Sequence, residues 1–390
     1  PHISIFIAMN HSTLHDITMS CTIVVGGFFG DEGNRWVNER ILGRRDRDPS
    51  ATQKIQELKL LLKGRLEDFI HRFSIDMLVC ENALTIPMHV PLGLALTETL
   101  AETQIPTICH HHDFYWERVR YSVNAVNDYL RMAFPPNLPN IQHAVINSEA
   151  REQLALRTGI ASIIVPNVLD FKTPPRIDEE STRRFRASID LAPDDIMILQ
   201  PTRIVRRKGI EHAIELVHRL NRRAKLVVSH ASGDEGYDYE QRVREYSRMM
   251  GVETRFVSQI INEKRGQTED GRKIYTLEDI YPYADLVTYP SDFEGFGNAF
   301  LEAVYFRKPI VVNIYSIYQV DIQPKGFEVI QLDGYVTEEA VQKTLQVLDD
   351  PALRQQMVDR NFEIARRCYS YQVLKRRLGG LIQDSISCWV

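Results

Sequence analysis

Short apolar runs of strand length alternate with amphipathic stretches of helical length along most of the chain. Residues 3–9, 22–25, 77–80, 107–109, 144–146 and 162–165 read as buried strands, and 53–73, 92–103 and 121–133 read as helices between them. After a proline-containing segment at 170–176 the series starts again. Strands are predicted at 197–200, 225–229, 255–257, 286–289 and 310–312, and helices at 210–222, 237–250 and 299–306. Continuous apolar strands separated by helices are the mark of parallel sheets covered on both faces. The pattern predicts two doubly wound α/β domains, with a linker near residues 167–180. Ligands in such sheets sit at the carboxyl ends of the strands, and with two domains the expected site is the cleft between them. The charged stretch 262–273 reads as a solvated loop inside the second domain.

Composition narrows the function classes. A chain of 390 residues exceeds one typical core. Its charged fraction of 25% and formal net charge of −5 supply no basic field for nucleic acid. Five cysteines without metal-like spacing predict a reducing compartment. No apolar run reaches the ~20 residues needed to span a bilayer, and the first residues have neither the basic region nor the cleavage site of a secretory signal. The expectation is a soluble, cytoplasmic protein.

Three segments carry candidate chemistry. After the run 284–290 comes Ser291-Asp-Phe-Glu294-Gly295-Phe296-Gly297-Asn298-Ala-Phe-Leu-Glu302, a strand, a glycine-containing turn and a helix start. Gly295 and Gly297 permit a tight turn and close approach of a ligand to the amides, and the unpaired N–H groups of a helix opening near Asn298 suit a phosphate. Glu294 and Glu302 repel a phosphate and are better matched to neutral hydroxyls beside it. A diphosphate between two polyols, a nucleotide sugar, meets both demands; an ordinary strand-to-helix turn is the plain alternative. In Gln200-Pro-Thr202-Arg203-Ile-Val-Arg206-Arg207-Lys208-Gly209, Arg203 and Lys208 flank another strand-to-helix turn and make a second anion-binding edge; the alternative is a solvated basic turn. In Cys109-His110-His111-His112-Asp113 three consecutive histidines suggest a metal. Successive strand side chains alternate between faces, which argues against convergence on one ion, and no metal is expected. One histidine is expected to point into the cleft, and position at the strand's end favours His112. Asp113 and Glu117 are orienting groups or local ion-pair partners of Arg118 and Arg120. The glycine turn at 26–31 lacks G-x-G-x-x-G spacing, which disfavours a dinucleotide-dependent dehydrogenase.

With these motifs in view, the sequence resembles the family 4 retaining glycosyltransferases, over roughly residues 75–375 and most strongly 195–310. Glu294 and Glu302 match the family's pair of glutamates separated by seven residues. Arg203 and Lys208-Gly209 match its Arg-x-x-x-x-Lys-Gly diphosphate motif, with Thr202 where glycine is usual. Pro106 and His112 keep the spacing of its first-domain histidine. Asn167-Val-Leu-Asp170 stands for its linker turn without the glycine, and Tyr369-Ser370-Tyr371 opens a segment similar to its last helix. The glycine-rich loop expected after the first strand is replaced by residues 10–16, which hold no glycine.

The resemblance implies a GT-B fold of two Rossmann-like domains facing each other across a cleft. Residues 1–170 with a returning helix at 371–390 would form the acceptor domain, and residues 171–370 the nucleotide-sugar domain. It implies retaining transfer of a hexose from a donor of the UDP-glucose or GDP-mannose type to a hydroxyl acceptor, with no cofactor and no metal. Arg203, Lys208 and the amides of Gly295, Phe296, Gly297 and Asn298 would hold the leaving diphosphate. Glu294 would hold sugar hydroxyls, Glu302 the ribose and His112 the sugar from the other domain; the base would lie near Val257 and Ile260, with Leu277 and Ile280 beside it. A glycan phosphorylase of the same fold and a catalytically inactive nucleotide-sugar-binding scaffold are the competing readings.

Overall fold

Parallel strands organise the structure, a computed structural model that describes residues 21–25, 32–173, 179–232 and 237–387. The expected strand at 3–9, residues 10–16 and the glycine turn at 26–31 lie outside the described residues. The chain divides into two units: one runs to Pro166 and takes up the chain again from Lys375, and the other spans Asn167–Leu374.

In the first unit the strands β1 (Cys21–Val25), β2 (Met77–Glu81), β3 (Thr107–His111), β4 (Ile141–Val145) and β5 (Ser162–Ile164) lie side by side in chain order, all parallel. Helices Pro49–Arg72 and Val90–Thr103 connect them and pack Leu66, Phe69, Leu96 and Leu100 on Leu78, Cys80 and Cys109. The helix expected from residue 121 begins only at Asn127. Asn124 explains the delay: its Nδ2 donates to the Tyr121 carbonyl and its Oδ1 accepts from Val126 N, a local turn that competes with helix. Strand β3 runs two residues past the apolar stretch, carrying His110 and His111 into the sheet.

The second unit holds β6 (Ile196–Gln200), β7 (Ala224–Val228), β8 (Thr254–Phe256), β11 (Leu286–Tyr289), β12 (Ile310–Asn313) and β13 (Ile330–Leu332) in the order β13-β12-β11-β6-β7-β8. Strand β6 is the first of this unit yet lies inside the sheet, and the order reverses between β6 and β11. That reversal is where doubly wound sheets open a crevice for ligands. Ile198, Leu226, Leu286, Val311 and Ile330 form the core with helices Ile210–Leu220 and Glu338–Asp349. Strand β13 and the helices Glu338–Asp349 and Pro351–Cys368 were not expected from the apolar pattern. The segment 262–273 is largely exposed, as expected of a solvated loop, but it also forms a two-residue antiparallel ladder of β9 (Gly266–Gln267) and β10 (Lys273–Ile274). Helix Tyr371–Ser387 starts in the second unit and continues in the first.

Candidate active site

The carboxyl ends of β6 and β11 bring the basic turn and the first glutamate together. Gly209, with φ +56°, closes the short helix Arg206–Lys208. A Cβ at Gly209 would come 2.3 Å from the Pro290 carbonyl oxygen, so only glycine lets the two loops approach this closely. Arg207 contributes its carbonyl to Asp292 N at 2.8 Å. Lys208 Nζ then meets Glu294 Oε1 directly, and Arg207 Nη1 lies 3.1 Å from Glu294 Oε2 and 3.1 Å from the Phe293 carbonyl. Lys208 and Glu294 are both buried. Burial pulls the Lys208 amine below its usual range, opposed by Glu294. Burial pushes the Glu294 carboxyl up, but Lys208 and Arg207 outweigh it and hold the group ionised. Arg203 is exposed at the start of the same turn. Its charge and that of Lys208 help burial to depress the His230 imidazole, so His230, at the end of β7, is a neutral group beside the cations.

Thr202, in place of the expected glycine, is buried and its Oγ1 accepts from Gln200 Nε2 at 2.8 Å; Gln200 Oε1 in turn accepts from Thr288 Oγ1 at 2.8 Å. This chain joins the ends of β6 and β11 below the site. Gln200, Arg207 and His230 were missed by the sequence reading. Arg207 carried a signal in the row of three basic residues, whereas the register that reveals Gln200 and His230 is written nowhere in the motif.

Gly297 adopts φ +106°, and a Cβ there would lie 2.4 Å from Tyr315 Oη. That hydroxyl donates to the Phe296 carbonyl at 3.0 Å, so the turn before helix Asn298–Tyr305 is held from beneath. No side chain caps this helix; Phe300 N and Leu301 N turn back on the Gly297 carbonyl, so the amides at the helix start that suit an anion are those of Asn298 and Ala299. Gly295 does not share the positive φ. Phe296 is buried with its ring against Tyr369, centroids 5.3 Å apart, so only its backbone is offered to a ligand. Exposed Asn298 accepts from Asn167 Nδ2 at 2.7 Å, which ties the Asn167–Asp170 turn to the helix start. Glu302 accepts from Tyr281 Oη at 2.8 Å, and burial lifts its carboxyl to about 7 against the pull of that bond. Val257 and Ile260 are buried at the end of β8. Their amides donate to Val228 and Val257 carbonyls and the Ile260 carbonyl accepts from Tyr275 N. They border a cavity of about 360 Å³ shared with Arg272, Lys273 and Tyr275. Ile280 is buried within the helix Leu277–Ile280.

In the first unit the three histidines separate by face. His111 points into the core, with Nδ1 2.5 Å from Thr85 Oγ1 and Nε2 2.9 Å from His143 Nδ1; burial drives its pKa well below the usual value and that of His143 down to about 4. His110 and His112, two residues apart, share the opposite face. The parallel register sets Glu81 beside His110, and its Oε2 lies 3.0 Å from His110 Nδ1 and 3.2 Å from His112 Nε2. Alternation therefore turns His111 away, so the three do not converge, but it leaves His110 and His112 together on one face with Glu81. Glu81 gave no signal because a register is invisible in a single strand's sequence. Asn82 accepts from His112 N at 3.1 Å and fixes the end of the strand. Asp113 pairs with Arg118, while Glu117 accepts from Phe114 N at 3.0 Å and is pushed by burial to about 7.

Comparison with known proteins gives the family and the fold. The family model described as Glycosyl transferases group 1 matches residues 181–363. A mannosylglucosylglycerate synthase of Thermotoga maritima is 32% identical over 354 residues, covering 83% of this chain and 78% of that protein. A glycosyltransferase of Rickettsia africae has a similar fold with a TM-score of 0.61 at 12% identity, covering 87% of this chain and 82% of that one. The Anabaena protein HepE, solved in complex with UDP-glucose, has a TM-score of 0.60 at 12% identity, covering 83% of this chain and 82% of that one. These likenesses show the GT-B fold.

Proposed function

The chain belongs to the group 1 glycosyltransferases, and we propose that it moves a hexose from a nucleotide-diphospho-sugar to a hydroxyl acceptor with retention of configuration and without a metal at the diphosphate. The observation that carries this reading is the meeting of Lys208, Arg207 and Glu294 at the β6–β11 reversal, beside the uncapped start of helix Asn298–Tyr305. As the glycosidic bond breaks, negative charge gathers on the leaving phosphate. Fixed cations and amides stabilise that charge without reorganising. Lys208, Arg203 and the amides of Gly295–Asn298 supply them, so no divalent ion is needed there. Glu294 keeps the ammonium of Lys208 in place and accepts hydroxyls of the sugar. Glu302 accepts from the ribose, and His112 meets a hydroxyl of the sugar. The turn at Val257–Ile260 flanks the base.

The name of the Thermotoga maritima relative makes a mannosyl donor and a glucosylglycerate acceptor the first pair to assay, with UDP-glucose, the ligand of HepE, as the second donor. The test is transfer in excess EDTA, with the anomer of the product read by NMR. Retained turnover and a product of the donor's own anomeric configuration are expected. Complete loss of turnover on chelation, or an inverted product, would overturn the proposal.

A further inference from the structure

We infer that Glu81, His110 and His112 form a binding site for one divalent transition cation of the zinc type at the end of the first unit's sheet. The three ligand atoms lie within 4.8 Å of one another. The Glu81 oxygen is 3.0 and 3.2 Å from the two imidazole nitrogens. Ligands about 2 Å from a tetrahedral zinc are about 3.3 Å apart, so these contacts already have the spacing of two edges of the coordination polyhedron.

The tautomer of His110 points the same way. Its Nε2 lies 2.9 Å from the Val165 carbonyl oxygen, which only accepts, so Nε2 carries a hydrogen. Nδ1 then faces the Glu81 carboxylate with a lone pair unless a second proton or a cation lies between them. A histidine whose far nitrogen donates to a carbonyl while its near nitrogen meets a carboxylate has the outer support typical of metal ligands. Asn82 and the strand register hold His112 and Glu81 in place. Two imidazoles and one carboxylate favour zinc, cobalt or nickel over magnesium or calcium, which prefer oxygen. His112 and Glu81 keep 41% and 34% of their side-chain surface exposed, leaving the cation a route in and room for a water or ligand oxygen as fourth partner.

Occupancy would take His112 Nε2 away from a sugar hydroxyl, so the ion opposes transfer; this consequence alone rests on the transferase reading. The binding itself is tested without turnover. Untagged protein is titrated with Co²⁺, followed by its d–d absorption, and with Zn²⁺ by calorimetry, alongside Glu81→Gln and His112→Gln. One ion per chain, tetrahedral d–d bands, and a loss of more than about tenfold in affinity in each variant are expected, since removing a ligand should exceed the effect of losing an outer partner. Because His112 is partly exposed, His112→Gln keeps the test open if Glu81→Gln does not fold. Absence of the bands, or unchanged affinity in folded His112→Gln, would overturn the site and leave a simple imidazolium–carboxylate pair.

Discussion

Each sheet sets one carboxylate against two nitrogen-bearing side chains at the carboxyl ends of its strands, yet the two arrangements are chemically opposite. In the second unit Glu294 faces Lys208 and Arg207, whose charges are held by N–H donors with no lone pair to offer. They can bind an anion but no metal. In the first unit Glu81 faces two imidazoles, which can offer lone pairs. They can bind a metal or a proton. Under the proposed function, the leaving diphosphate belongs with the permanent cations, and the histidine cluster is where ion chemistry would enter.

The largest expected effect follows from breaking the permanent cations. Arg203→Ala and Lys208→Ala should each lower turnover by ~10²–10³, the usual loss when one preorganised group at a developing oxyanion is removed. Thermal melts of both variants separate chemistry from folding, above all for Lys208→Ala, which deserts a buried partner. Near-normal rates in the double variant would move the diphosphate elsewhere.

A smaller, pH-dependent effect sharpens the contrast from the side of Glu302. Burial raises this carboxyl to about 7, so it is protonated below that pH and ionised above it. If its ionised form accepts ribose hydroxyls, nucleoside diphosphate affinity should improve as pH rises through about 7. Glu302→Gln should remove this part of the pH dependence and, at pH 8, cost roughly one to two decades of affinity, the equivalent of one charge-assisted bond of about 1.5–3 kcal/mol. Calorimetry at pH 6 and pH 8 on both proteins cancels the ionisation of the phosphate itself. Parallel curves for the two proteins would remove Glu302 from the ribose.

How much was legible in the sequence depended on whether a feature was local. The buried strands at 77–81, 196–200 and 286–289 announced themselves by continuous apolar runs. The turn at Gly297 was legible because its backbone demands glycine. Strand β13 was missed since it is three residues long with Gln331 exposed in its middle. The pairing of Glu294 with Lys208 joins residues 86 positions apart, and that of Glu81 with His110 joins residues 29 apart; both depend on strand neighbours that no single segment reveals. Tyr281 and Tyr315 were missed for the same reason, being core aromatics whose hydroxyls happen to support the site.

The central claim, that Lys208 serves the diphosphate and Glu294 the sugar, is tested most directly by titrating a nucleoside diphosphate into Lys208→Ala and Glu294→Gln by calorimetry. Removing Lys208 should weaken binding, whereas replacing Glu294 releases Lys208 from its partner and should leave affinity unchanged or raised while transfer falls. Equal losses of affinity in the two variants, or none in Lys208→Ala, would contradict the division of roles.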